Sequence, residues 1–181
     1  EDTIRATKEM VKIGVGVIIT LGGDGTNRLI AKTTSNVVLL PISTGTNNIF
    51  PNFIEGTKAG MAAGIFVKNF NNEADKKNIC LKAKMIHVEF NGCIENALID
   101  FAISSSVHLG SRAIWDPKNL CHLFVTQADT GAIGLTGILG SIMPVSKIDP
   151  FGAYAKMGNK KFVKAILASG KINKVGIDFI E

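Results

Sequence analysis

The sequence predicts an α/β domain with a parallel sheet over residues 1–70, followed by a mainly antiparallel β domain over residues 77–181. Three observations carry this. Two continuous apolar runs rich in β-branched residues, Val15 to Leu21 and Val37 to Ile42, alternate with segments of helical spacing. That order belongs to right-handed βαβ crossovers. Later in the chain the pattern changes to apolar–polar alternation with an Asn91-Gly92 hairpin signal. Between the two lies "NFNNEADKKN", Asn69 to Asn78, a polar stretch suited to a domain boundary.

The elements follow in order. Asp2 to Ile13 has helical spacing, with Asp2 or Thr3 available as a cap. Val15 to Leu21 is expected to be a strand buried on both faces, because it carries no polar alternation. A helix is expected from Thr26 or Asn27 to about Thr33, then a second buried strand, "VVLLPI". "STGTNNIFPNF" is a polar loop, and Glu55 to Lys68 is a helix of small residues. In the second part, Ile86, Val88 and Phe90 share one face, opposite His87 and Glu89. One strand is expected over Ile94 to Ser104, and further strands over Cys121–Gln127, Gly152–Met157, Lys161–Ala168 and Lys174–Ile180.

Composition narrows the function classes. Of the 181 residues, 46% are hydrophobic and 19% charged, which builds a packed core and argues against disorder. The net charge of +5 is spread along the chain, with 7 basic and 5 acidic residues before Asn69 and 13 and 10 after it. With no basic stripe, nucleic acid is not expected as a partner. Cys80, Cys93 and Cys121 have no CxxC spacing and match neither a disulfide framework nor a zinc set with the three histidines. No signal peptide is visible, and the apolar stretch from Gly131 to Val145 is short and broken by glycines. A cytoplasmic protein without membrane association is therefore expected. Both termini look cut, at Glu1 within a helical pattern and at Glu181 after an alternating run, so a fragment of a longer protein is expected.

"LGGDGTNR" holds the chemistry. Ligands of parallel α/β sheets bind beyond the carboxyl ends of the strands. Gly22, Gly23 and Gly25 at such an end let backbone N–H groups approach a phosphate, and the helix starting near Thr26 favours an anion. A carboxylate in that cradle repels phosphate, so Asp24 needs its own account. It can hold a Mg²⁺ shared with the phosphates. It can accept a proton from a hydroxyl attacking phosphorus. The third possibility is an Asx-turn or helix cap. The pattern is neither the P-loop GxxxxGK[ST] nor the dinucleotide fingerprint, because Arg28 stands where the third glycine belongs. A second glycine-bearing loop follows the next strand, in which Ser43, Thr44, Gly45, Thr46, Asn47 and Asn48 offer hydroxyls, amides and backbone N–H groups.

The pair "GGDGT" and "STGTNNIFP" resembles the signature of the superfamily of NAD kinases and diacylglycerol-type lipid kinases, and more distantly phosphofructokinases. Within it the chain is most similar to the ATP-NAD kinase-like AcoX group, named from acetoin catabolism operons. The likeness extends through "EGTKAGMAAG", "NALIDFAI", "GSRAIWDP", "GAIGLTGILGSIMPV" and "PFGAYAKMG". It implies a Rossmann-like α/β domain, missing an initial βα unit here, followed by a β-sandwich-type domain that continues past Glu181. It also implies a kinase using ATP and Mg²⁺, with Asp24 as general base and electrostatic centre. Gly22, Gly23, Gly25 and Thr26 would cradle phosphate, and Thr44 to Asn48 would line the nucleotide or substrate cleft. The acceptor would be a hydroxyl of NAD or another small metabolite. Two departures alter the NAD pocket. The Asn-Glu pair of NAD kinases is replaced by "ALID", leaving Asp100, and "TGAIGLTG" lacks the tyrosine and adjacent hydroxyls of those enzymes. A nucleotide-binding regulator of the same fold without turnover, or a lipid kinase, are the alternatives.

Other residues are weighed in the same terms. Asp100 is a substrate ligand or a solvent-facing residue, since alternation sets it opposite Ile99 and Phe101. Asp129, Thr130 and Gly131 are further candidate substrate contacts. Arg112 can bind phosphate or pair with Asp116, and Trp115 is assigned to packing. His87, His108 and His122 are expected to be satisfied or surface histidines. Small-molecule nucleotides and a second copy of the chain are the expected partners.

Overall fold

The computed structural model describes residues 2–70, 72–106, 116–168 and 170–181. The chain divides into two compact units, Glu1–Lys82 and Ala83–Glu181. Among the described residues, no helix is long and apolar enough to cross a membrane.

The first unit runs α1 (Asp2–Lys12), β1 (Val17–Gly22), α2 (Asp24–Thr33), β2 (Val38–Ser43), α3 (Gly56–Asn69) and α4 (Glu73–Ile79). β1 and β2 pair in parallel from Val17↔Val38 to Gly22↔Ser43. This register places the carboxyl ends of the two strands side by side, so the loops that leave Gly22 and Ser43 start as neighbours. β1 is buried on one face only. Ile18, Thr20 and Gly22 point inward, while Ile19 and Leu21 are exposed. This corrects the expectation of a strand buried on both faces. α2 begins at Asp24 rather than at Thr26 or Asn27, which puts the carboxylate in the first helical turn. α3 is capped by Glu55, whose carboxylate accepts the N–H groups of Thr57 and Lys58; these bonds hold its pKa below the usual glutamate value. The segment read as a boundary contains α4, capped by Asn72 through the Asp75 N–H.

The second unit contains β3 (Ile86–Phe90), β4 (Cys93–Ala97), β5 (Asp100–Ser104), β6 (Leu120–Val125), α5 (Leu135–Gly140), β7 (Ala153–Ala168) and β8 (Lys171–Ile180). β3 and β4 form the expected hairpin, with Asn91 and Gly92 both at positive φ, as its two-residue turn demands. β5, β6, β7 and β8 form a separate antiparallel sheet in that order. Two strand expectations are corrected. Ile94 to Ser104 is not one strand: it breaks at Leu98 and Ile99, both buried, and its halves join different sheets. Conversely, Gly152–Met157 and Lys161–Ala168 belong to one long strand, β7, interrupted by a bulge opposite β8. Alternation alone cannot separate a bulge from a turn, since both break the two-residue period. The core joins Leu123, Val125, Ala155, Val175 and Ile177 of the sheet to Ile138 and Leu139 of α5.

Asp178 fixes the bulge. Its carboxylate accepts the Asn159 and Lys160 N–H groups at 2.7 and 3.2 Å, and Gly158 leaves the space that the carboxylate occupies. These backbone bonds, Asn159 first, hold its pKa below the usual aspartate value, with smaller help from Lys160 and Lys156. The folded-state pKa is depressed, so the clamp stabilises the fold above the unfolded-state aspartate pKa. That stability is lost as the pH falls through the lowered value. Asp178→Asn should therefore lower the melting temperature at neutral pH, and the difference from wild type should shrink on acidification. Thermal melts across an acid pH series check this.

Candidate functional site

The candidate site is built where β1 and β2 end. Gly22 and Ser43, the last residues of the two strands, are register partners. A Cβ on Gly22 would meet Thr26 Oγ1 at 2.6 Å, and one on Gly23 would meet Asn48 Oδ1 at 2.5 Å. Gly22 is thus required by the helix that follows it, and Gly23 by the neighbouring loop.

Asp24 joins the two loops. Its Oδ1 accepts the Phe50 N–H at 2.8 Å and the Ile49 N–H at 3.1 Å, and Oδ2 lies 3.2 Å from the Ile49 N. The carboxylate also sits in the first turn of α2, where the helix dipole favours negative charge. Of the three roles that the sequence leaves open, a structural one is therefore occupied, as a clamp between loops rather than a local Asx-turn. A carboxylate has about four acceptor positions, so Oδ2 keeps acceptor capacity beyond these bonds.

The second loop is held at its base and within. Ser43 N–H donates to the Asn52 carbonyl at 2.8 Å and Asn52 N–H to the Pro41 carbonyl at 3.3 Å, closing the loop onto β2. Asn48 Nδ2 donates to Ser43 Oγ at 3.0 Å and to the Gly45 carbonyl at 3.4 Å. Ser43 Oγ donates in turn to the Gly45 carbonyl at 2.8 Å. Asn48 therefore spends its amide inside the loop, while Thr44, Thr46 and Asn47 stand exposed at its tip.

Asn27 is the residue that motif reasoning missed as a support. It is wholly buried, accepts the Thr20 hydroxyl at 2.8 Å and donates to the Gly23 carbonyl at 2.9 Å. It thereby ties the middle of β1 to the first turn of α2. A polar residue on the apolar side of an amphipathic helix, three after Asp24, is the signal that finds it.

The N-terminus of α2 suits an anion. Gly23 at the N-cap supplies no side-chain cap, the helix bonds begin with Asn27 N–H to the Gly23 carbonyl, and Gly25 is exposed with open space beside it. No group of three or more His, Cys, Asp or Glu side chains able to hold a metal ion occurs among the described residues. Mg²⁺ usually takes one or two carboxylates together with substrate phosphates, and Asp24 fits that limited part.

The remaining candidates lie in the second unit. Asp100 opens β5 opposite Val125 and is half-buried. Asp129 Oδ1 accepts the Gly131 N–H at 2.9 Å, forming an Asx-turn on which Asp129, Thr130 and Gly131 are all exposed. In the following "GLTG" segment, Thr136 Oγ1 is buried with no hydrogen-bond partner. His87 meets Asn96 at 2.9 Å, and His122 meets the Tyr154 hydroxyl at 2.8 Å, so both are satisfied as expected. Asp116 accepts the Lys118 N–H; His108, Arg112 and Trp115 lie outside the described residues.

Comparison with known proteins divides the chain in the same way. Residues 1–70 match the model of the ATP-NAD kinase N-terminal domain, and residues 84–181 match that of the acetoin catabolism protein X C-terminal domain. The chain belongs to the acetoin catabolism protein X family. It is 35% identical over 154 residues to Acetoin catabolism protein X of Cupriavidus necator, covering 84% of this chain and 43% of that protein. The chain thus spans less than half the length of that relative. No solved structure matches. The α/β unit of this family member is thus similar to the N-terminal domain of ATP-NAD kinases.

Two substitutions test the architecture of the site. Asn27→Ala should cost about 1 to 3 kcal/mol by stranding the buried Thr20 hydroxyl, while the Gly23 carbonyl keeps the Asn27 backbone N–H. Gly23→Ala should cost a similar amount, about 1 to 3 kcal/mol, by forcing Asn48 and its loop away. Urea denaturation of each variant against wild type measures both.

Proposed function

We propose that this chain carries the nucleotide-handling part of an ATP-dependent phosphotransferase, which moves the γ-phosphate of ATP to a hydroxyl of NAD or a related small metabolite. The observation that supports it is the pair of loops locked side by side, with an uncapped α2 N-terminus beside a carboxylate. In this reading the N–H groups of Gly25 and Thr26 hold phosphate oxygens, and Thr44, Thr46 and Asn47 present the polar loop tip to the nucleotide. Asp24 Oδ2 receives the acceptor hydroxyl's proton as that oxygen bonds to the γ-phosphorus and the bond from phosphorus to the β-phosphate oxygen breaks. The Ile49 and Phe50 N–H groups keep the carboxylate in place for that role. Mg²⁺ would neutralise the phosphate charge that builds up in the transfer, held chiefly by the substrate phosphates; service as a metal-linked carboxylate is the alternative to Asp24's role as base.

A second reading has a specific observation behind it. Asp24 is already engaged by the second loop, so the carboxylate has a structural reason to be there without chemistry. A regulator that binds nucleotide without turnover would retain the same clamp.

Transfer from ATP to NAD with Mg²⁺, followed as NADP formation by the full-length protein, separates the two. The kinase reading expects transfer in wild type and a loss of about a hundredfold or more in folded Asp24→Asn. Absence of transfer, with ATP or NAD still raising the melting temperature, supports the regulator.

A further inference from the structure

The β7–β8 hairpin carries a surface that the proposed kinase chemistry does not use. One face of it is core, with Ala165, Leu167, Asn173 and Val175 buried. The opposite face is laid out in rows by the strand register: Ile166 opposite Ile172, Lys164 opposite Lys174, and Phe162 opposite Gly176. Its apolar members are open to solvent, at 67% for Ile172, 48% for Phe162 and 42% for Ile166. Lys174 Nζ lies 4.2 Å from the centroid of the Phe162 ring, which confirms that the lysine and the aromatic ring share this face.

The charge on the face is unbalanced. Lysines directly opposite each other on neighbouring strands repel. Among the described residues, no ion pair relieves Lys164 or Lys174. Lys156, Lys160, Lys161 and Lys171 also lie on these two strands, whose one carboxylate is Asp178; Lys161 and Lys171 fall in the register of the core-facing residues. Asp178 is already bonded to the backbone of the bulge.

We propose that this face is a docking surface for an extended acidic segment of a partner protein, with a carboxylate side chain placed between two apolar ones. The rows recur every second residue, about 6.6 to 6.8 Å apart, which is also the same-face repeat of an extended chain. An acidic residue over the Lys164–Lys174 row therefore sets residues two positions before and after it over Ile166–Ile172 and Phe162. The order of the rows disfavours a lipid surface. There the apolar side chains would insert together with lysines at the rim, whereas this basic row runs between the apolar ones.

The test is fluorescence anisotropy of the full-length protein with a short labelled peptide that carries isoleucine and glutamate alternately on one face and threonine on the other. Binding should occur at low salt and weaken as salt is added. Lys174→Glu should weaken it by about tenfold or more while raising the melting temperature, because it gives Lys164 an opposite charge across the ladder. Ile172→Thr should also weaken binding, with the fold confirmed by circular dichroism. The proposal is overturned if wild type does not bind the peptide, or if Lys174→Glu binds it equally well. Adsorption to phosphatidylglycerol vesicles without peptide binding also overturns it, as does a wild-type dimer that Lys174→Glu dissociates.

Discussion

Two backbone N–H groups bonded to one carboxylate organise the first unit. Asp24 receives the Ile49 and Phe50 N–H groups from a loop that is 25 and 26 residues distant in sequence. The parallel register of β1 and β2 brings the loop bases together, but a register sets only where loops begin. Without an acceptor at position 24, the Ile49 and Phe50 N–H groups would have to find water, and the tip bearing Thr44, Thr46 and Asn47 would lose its fixed relation to the helix N-terminus. Gly23 and Asn27 serve the same end, one by yielding space to Asn48 and the other by tying α2 to β1.

This constraint changes how the GGDGT segment is understood. A carboxylate among phosphate-binding glycines looks paradoxical when only the ligand is considered. It ceases to be so once the carboxylate's first partners are the protein's own N–H groups, which offset its charge locally. The same bonds leave both function classes standing. A kinase needs the clamp to hold its base and its phosphate loop in one geometry, and a nucleotide-binding regulator needs it to hold the loop alone. The family assignment does not choose between them. The related protein is named for acetoin catabolism, and the likeness to NAD kinases resides in residues 1–70.

Much of this fold was legible in the sequence, for identifiable reasons. The apolar runs gave β1 and β2, because β-branched clusters ending in glycine or serine rarely do anything else, and Asn91-Gly92 gave the β3–β4 turn. What stayed hidden depended on tertiary context. The break at Leu98–Ile99 hides within unbroken alternation, and the bulge in β7 looks like a turn because Gly158 and Asn159 are turn-forming residues. At the site, the two loops were legible as a pair, whereas their mutual attachment was not. Backbone donors such as those of Ile49 and Phe50 leave no mark in the sequence. Asn48, which looks like a ligand contact, spends its amide on Ser43 and Gly45. The basic rows of the β7–β8 hairpin were hidden for the same reason: lysines scattered along the chain become a patch only when the strand register aligns them.

Amide hydrogen exchange of Ile49 and Phe50, read by NMR in wild type and Asp24→Ala, tests the clamp most directly. The account predicts that both amides are protected in wild type and exchange far faster in the variant, while β1 and β2 amides keep their protection. Unchanged exchange at Ile49 and Phe50 in the variant would show that the loops are held together by something other than Asp24.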